Sequence, residues 1–210
     1  MIPGPNYIYR CPTCSNLMYH ESLASGNTFN AAFYSDGKLI APDLPAYPTI
    51  TKCTSCRSLL WVGHLDPVAS CEPEDMDGSE WAGAKEMQFL DLFDLLIALD
   101  QGYAKMRNEK IYIRQQILWS FNDQIRAGHP LYRDQEDQYL WNSNIDELLL
   151  LLGTADDNHL FLMAELLRYR RKFRQAVDLL KTIDDPKLKG YVAKLITACE
   201  MEVSTVIRLE

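Results

Sequence analysis

The sequence predicts an α+β protein in two parts: a small β-rich domain over residues 1–75, then an all-α domain of helical hairpins over residues 76–210. Three observations predict this. The first third is rich in Pro, Gly, Ser, Thr and aromatic residues and carries short β-prone runs between turn residues. An acidic, turn-prone segment, Glu72-Pro73-Glu74-Asp75-Met76-Asp77-Gly78-Ser79, then interrupts the chain. Beyond it prolines become rare, and apolar residues recur at the three- and four-residue steps of an amphipathic helix.

In the first part the runs Tyr7-Ile8-Tyr9, 28–34, Thr49-Ile50-Thr51 and 59–62 are expected as short strands. Ser35-Asp36-Gly37-Lys38 has hairpin-turn chemistry, because Asp and Gly tolerate positive φ. Pro42, Pro45 and Pro48 stiffen the chain that follows into an extended segment. In the second part Ser79 is expected to cap a helix carrying Met87, Leu90, Phe93, Leu96 and Ile97, with Gly102 ending it. A second helix is expected over 107–127, with Ile111, Gln115, Leu118, Phe121 or Asn122, and Ile125 along it, stopped by Gly128-His129-Pro130.

Ser143 or Asn144 is expected to begin a third helix, containing Ile145, Leu148, Leu149 and Leu152, that Gly153 terminates. Two further stripes follow, Leu160, Met163, Ala164 and Leu167, then Phe173, Ala176, Val177, Leu180 and Ile183. Asp185-Pro186 starts a closing helix through Leu188, Tyr191, Val192, Leu195 and Ile196. Short connections between such helices imply antiparallel neighbours.

At 210 residues and 47% apolar content the chain can bury a real core, which excludes disorder as its main state. The 21 basic and 29 acidic side chains leave a formal charge of −8, which opposes sequence-independent attraction to phosphate backbones. The start, Met1-Ile2-Pro3-Gly4-Pro5-Asn6-Tyr7, has neither the positive nor the apolar region of a secretory signal. The most apolar stretches, 89–99 and 145–152, contain acids and fall short of the roughly 20 residues a membrane span needs. A cytoplasmic protein with no membrane partner is expected, and in that reducing compartment paired cysteines read as metal ligands or redox groups before disulfides.

Cys11-Pro12-Thr13-Cys14 and Cys53-Thr54-Ser55-Cys56 are two such pairs, 38 residues apart. A two-residue spacer lets one tight turn aim two thiolates at one point, and two turns complete the tetrahedron that zinc accepts. Four sulfur ligands leave no open coordination position, so one structural Zn²⁺ per chain is the expectation. Iron satisfies the same donors, and a redox pair or disulfides remain the competing readings, although no βαβ pattern surrounds either motif. His64 and Cys71 follow the second pair as rival ligands, but a complete set of four precedes them, and packed or surface roles are expected for both. Cys199 is expected as an ordinary buried thiol.

With a hairpin between them, the two cysteine turns resemble a zinc ribbon. Members of that family usually place glycine after the second cysteine of each turn, whereas this chain has Ser15 and Arg57 there. Residues 157–186 resemble a tetratricopeptide-type repeat. Leu160, Met163, Ala164 and Leu167 match the first helix of the repeat, and Phe173-Arg174-Gln175-Ala176 with Leu180 match its second, with Ile183 where a small residue is preferred and Pro186 slightly early. Over more of its length the chain is similar to poorly characterised bacterial proteins that join Cys-x-x-Cys pairs to a repeat-like helical half. Besides the cysteine turns, that similarity rests on 35–38 with Pro42 and Pro45, on 114–123 with Trp119 and Asn122-Asp123, and on Ala164-Glu165-Leu166-Leu167-Arg168. It implies a bacterial, cytoplasmic protein.

Two charged features stand outside this scheme. Arg168-Tyr169-Arg170-Arg171-Lys172-Phe173-Arg174 interleaves cations with aromatics, as phosphate- and base-binding surfaces do, yet it falls at an expected helix turn where cations stabilise a C-terminus. Asn122-Asp123 beside Trp119 reads either as a polar site between helices or as a buried hydrogen-bonding pair. No Gly-rich phosphate loop, Gly-x-Ser-x-Gly or His-Glu-x-x-His occurs, and the histidines at 20, 64, 129 and 159 are scattered. The leading expectation is therefore a non-enzymatic, zinc-binding adaptor with an unidentified protein partner. The alternatives are a nucleic-acid-associated zinc-ribbon factor, although residues 1–75 hold four basic against seven acidic side chains, or a hydrolase or transferase with an unrecognised site.

Overall fold

The computed structural model describes residues 1–154 and 156–210. In chain order its elements are strands β1 (Ile2–Pro3), β2 (Asn6–Arg10), β3 (Leu17–His20), β4 (Leu23–Ser25), β5 (Ala32–Phe33), β6 (Leu39–Ile40), β7 (Ile50–Lys52), β8 (Leu59–Trp61), β9 (Ala69–Cys71) and β10 (Lys85–Glu86). Helices α1 (Leu92–Asp100), α2 (Arg107–Arg126), α3 (Gln135–Leu151), α4 (Asp157–Tyr169), α5 (Phe173–Leu180) and α6 (Lys189–Glu200) follow. The chain is thus mixed α+β, strand-rich first and helical after. Its contacts gather into two compact units, Met1–Ala31 with Ala41–Asp94, and Ala32–Ile40 with Leu95–Glu210.

In the first unit β2 and β3 form an antiparallel hairpin, Ile8 facing Tyr19 and Tyr9 facing Met18 across it. β9 adds to the free edge of β2, and β10 runs parallel to β3 on the other side, giving the order β10-β3-β2-β9. A separate hairpin, β7–β8, sets Thr51 opposite Leu60. Met18, Leu60 and Met87 pack with Cys11 and Cys53 in one buried cluster, so the apolar core of this unit surrounds the cysteines.

The helix expected from Ser79 begins only at Leu92. The Ser79 side chain closes a turn instead, its hydroxyl donating to the Met76 carbonyl and accepting from the Trp81 N–H. Lys85 and Glu86 pair with β3, and the Met87 N–H donates to the Tyr19 carbonyl at 2.9 Å, which turns Met87 into the sheet core. Three- and four-residue spacing of Met87 and Leu90 is thereby overridden by a strand pairing that no local pattern announces. Asp91 starts the real helix, accepting from the Asp94 N–H at 2.8 Å, and Gly102, at φ +70°, ends its exit turn as expected.

In the second unit α2 and α5 follow the sequence pattern closely. α3 begins earlier than expected, because Asp134 caps it by accepting from the Asp137 N–H at 2.9 Å and the polar run from Gln135 is helical. That adds about two turns, which carry Trp141, buried and meeting Phe121 and Tyr169 edge-on or tilted. α4 and α5 form a helical hairpin turning through Arg171 at φ +56°, and α6 packs on it. Ala164 and Ala176 lie fully buried in the core with Phe161, Leu180, Leu195 and Cys199, where small side chains permit close helix approach.

The strands β5 and β6 belong to this helical unit. Ser35-Asp36-Gly37-Lys38 makes the expected turn, Gly37 sitting at φ +78° and its N–H donating to the Tyr34 carbonyl. The last residues then pair along the hairpin, with Tyr34 bridging Arg208 and the Leu209 N–H donating to the Phe33 carbonyl at 2.7 Å. Among the described residues no helix is long and apolar enough to cross a membrane.

Candidate metal centre

Each cysteine pair lies at the tip of a strand hairpin, Cys11 and Cys14 between β2 and β3, Cys53 and Cys56 between β7 and β8. The two turns repeat one another bond for bond. Cys11 N–H donates to the Asn16 carbonyl and Ser15 N–H to the Cys11 carbonyl, at 2.9 and 2.8 Å; Cys53 with Ser58, and Arg57 with Cys53, do the same at 2.9 and 2.9 Å. Ser15 and Arg57, the two residues that stand where a glycine was expected, both adopt φ +63°. The left-handed turn is kept in spite of the side chains, at some cost in backbone strain. Asn16 further ties the turns together, its Nδ2 donating to the Thr54 hydroxyl at 3.2 Å.

All four sulfurs lie within 4.8 Å of one another. The closest pairs cross between the turns, Cys11 to Cys56 and Cys14 to Cys53, each at 3.7 Å. A tetrahedron of sulfurs about 2.3 Å from a central zinc has edges of about 3.8 Å, so the donor set fits one such ion. Cys11 and Cys53 are buried, and Cys14 and Cys56 are open to solvent. Burial pushes the Cys53 thiol up to about 11. Hydrogen bonds from the Ser58 hydroxyl and N–H bring Cys56 down to about 6. His64 and Cys71 do not join the cluster. His64 stacks near Trp61, and the Cys71 thiol, in β9, donates to the Glu72 carbonyl. Cys199 is a buried core thiol.

The helical unit holds a second constellation, which brings together motifs that stood apart in the sequence. Asp36, at the hairpin turn, is fully buried and accepts from Asn122 Nδ2 at 2.8 Å and from the Arg126 guanidinium at 2.5 Å, while its carbonyl accepts from Trp119 Nε1 at 3.0 Å. Arg126 also donates to Asp123, which pairs with Lys38, and its guanidinium lies over the Tyr34 ring. Beside it Ser35 donates to Glu165 at 2.5 Å, and Glu165 is bound by two guanidinium nitrogens of Arg168. Trp119, Asn122 and Asp123 are thus the receptors of the hairpin. Residue spacing signals half of this: Asn122 and Arg126 sit one helical turn apart, as do Glu165 and Arg168, but nothing local pairs either with residues 35 and 36.

The basic cluster at 168–174 resolves largely into structure. Arg168 is fully buried in that network and donates to the Val203 carbonyl, Tyr169 is buried, Phe173 packs half-buried against the core, and Arg170 reaches Asn142 and Asp146. Arg171 stands 4.0 Å from Glu202, which leaves Lys172 and Arg174 outward. No protein-family model, no curated protein and no solved structure matches this chain.

Proposed function

We propose that Cys11, Cys14, Cys53 and Cys56 hold one structural Zn²⁺ in a zinc-ribbon-like module, and that the chain is a non-enzymatic adaptor whose tetratricopeptide-like helical hairpin at 157–186 serves protein–protein interaction. The observation that carries the metal reading is the pair of matching turns that converge four thiols with cross-turn sulfur distances of 3.7 Å. Four thiolates complete the coordination of zinc and leave no position for a substrate, so the ion shapes the module. The adaptor reading draws support from the use already made of the most reactive-looking groups. Ser35, Asp36 and Glu165 are buried and committed to hydrogen bonds that hold the hairpin. The nucleic-acid alternative is less favoured because Arg168 and Tyr169, at the heart of the candidate basic–aromatic surface, are buried, and Phe173 is half-buried against the helical core.

The test is elemental analysis of protein prepared under reducing conditions, joined to cross-linking in cells. About one zinc per chain is expected, lost in Cys11→Ser and in Cys53→Ser. A reproducible protein partner is also expected, with no salt-sensitive binding to DNA or RNA. A metal-free native protein ends the first half of the reading, and the absence of any cross-linked partner ends the second.

A further inference from the structure

The helical unit contains a cavity of ≈ 310 Å³ between the β5–β6 hairpin, α2, the start of α4 and the approach to α6. Its size is at the small end of ligand sites, which run from about 300 to 1,000 Å³, and suits one large side chain better than a nucleotide. Phe33, Ile111, Phe161, Leu162 and Leu188 supply an apolar and aromatic wall. Gly37 keeps the hairpin side thin, since a Cβ there would stand 3.4 Å from the Gln115 amide nitrogen.

The polar groups of the floor are already spoken for. Ser35 Oγ donates to Glu165 and accepts from the Ile207 N–H at 3.0 Å, and the Asp36 carboxylate is held by Arg126 and Asn122. A charge carried to the bottom of the cavity would therefore meet no partner, and the inserted group must be apolar. Charge recognition falls to the neighbouring surface: Asn158, which is exposed, lines the cavity with the half-buried His159 and Leu188. Asp156 and Asp157 directly precede Asn158 in the chain; Asp157 accepts from the Asp184 and Asp185 N–H groups at 3.3 and 2.8 Å, and Asp156 accepts from the Asn158 N–H at 2.8 Å. These bonds bring the Asp156–Asp157 and Asp184–Asp185 turns together, four aspartates against Lys181, Lys187 and Lys189 in the adjoining chain.

We propose that this cavity receives an aromatic side chain of a partner polypeptide that carries lysine or arginine beside it, a docking site that rests on the adaptor reading and gives the partner its chemistry. The aromatic ring buries against Phe33 and Phe161, and the flanking cations face the neighbouring aspartates. An anchor of this kind concentrates binding energy in one filled pocket, while the neighbouring charges set specificity and association rate.

The experiment is fluorescence anisotropy on the full, metal-loaded chain with three labelled peptides. One has a central tryptophan flanked by arginine and lysine, one has aspartate and glutamate in the flanks, and one has alanine in place of tryptophan. The basic tryptophan peptide is expected to bind about tenfold or more tighter than either of the others, and to weaken as salt rises. Asn158→Trp, which places a ring at the cavity, should abolish the preference, and Asp184→Lys, at an exposed position, should weaken the basic peptide selectively. Arg174→Ala, away from the cavity, should change nothing.

Equal binding of the three peptides overturns the proposal, as does tight binding of free tryptamine, which would make the cavity a small-molecule site, or displacement of the peptide by single-stranded RNA. Both cavity variants must keep the helical circular dichroism of the parent for the comparison to count, and either one suffices. If a cross-linked partner is captured equally by the parent chain and by Asn158→Trp, the docking site is wrong and the adaptor reading stands; if the parent captures none, the adaptor reading itself has failed.

Discussion

Ser15 and Arg57 show what the paired cysteine turns demand of single residues. Both hold φ +63° one position after a cysteine of the cluster, a conformation that costs an L-residue with a side chain roughly 1–2 kcal/mol. Both side chains are exposed, so removing either sacrifices little packing. Ser15→Gly and Arg57→Gly are therefore expected to stabilise the strand-rich unit by up to about 1 kcal/mol each, part of the relief being offset by the greater freedom of glycine in the unfolded chain. Thermal unfolding of metal-loaded protein checks this, and a lowered midpoint in both variants would show that the side chains do something the turn geometry hides. The four cysteines were legible in the sequence because their chemistry is local, two thiols per turn. The cross-turn pairing of Cys11 with Cys56 was not, since it depends on how two hairpins meet.

Among elements, the β5–β6 hairpin is the most instructive. Its turn was legible from Asp36 and Gly37, but its surroundings were not. The sequence places it in the loop between the cysteine pairs, whereas its contacts are with the helical unit. The reason is electrostatic: Asp36 is buried, and Arg126 and Asn122 on α2 are the groups that satisfy it. Helix α2 was readable because a long periodic pattern between a good start and Gly128 needs no partner to be recognised. Strands β9 and β10 were missed because each is defined by the neighbour it pairs with, β2 and β3, rather than by its own three or two residues. Asp36→Ala should strip Arg126 of its main partner and cost about 3–5 kcal/mol, the usual penalty for leaving one charge of a buried pair uncompensated. Urea unfolding followed by the helical signal measures it. In a double-mutant cycle, Arg126→Met should recover part of that loss, and strict additivity of the two changes would mean that the pair is not coupled.

At the scale of the whole chain, the backbone passes from the first unit into the second for residues 32–40, returns, and leaves again after Asp94. Each unit has a core of its own, but the cores differ in what sustains them. Cys11 and Cys53 lie within a buried cluster of the first, with Met18, Leu60 and Met87, so the candidate ligands are themselves core residues. The second packs Phe161, Leu180, Leu195, Cys199 and Leu209 together, and among the described residues the four-cysteine cluster has no member in it. Removing the metal should therefore unfold residues 1–31 and 41–94 while leaving the helices in place, because binding and folding of such a module are one equilibrium. The discriminating stretch is 32–40. It lies in sequence between the two cysteine pairs, yet its anchors, Arg126, Asn122 and Glu165, are all in the helical unit. Hydrogen exchange in the presence of a strong chelator should show fast exchange on both sides of this segment and continued protection within it, at Tyr34, Ser35 and Gly37, whose N–H groups are bonded to carbonyls of the hairpin and of Ile207 near the C-terminus. Loss of protection at 32–40 in step with its flanks would mean that the hairpin is held by the metal module after all, and that the buried ion pairs follow its placement instead of causing it.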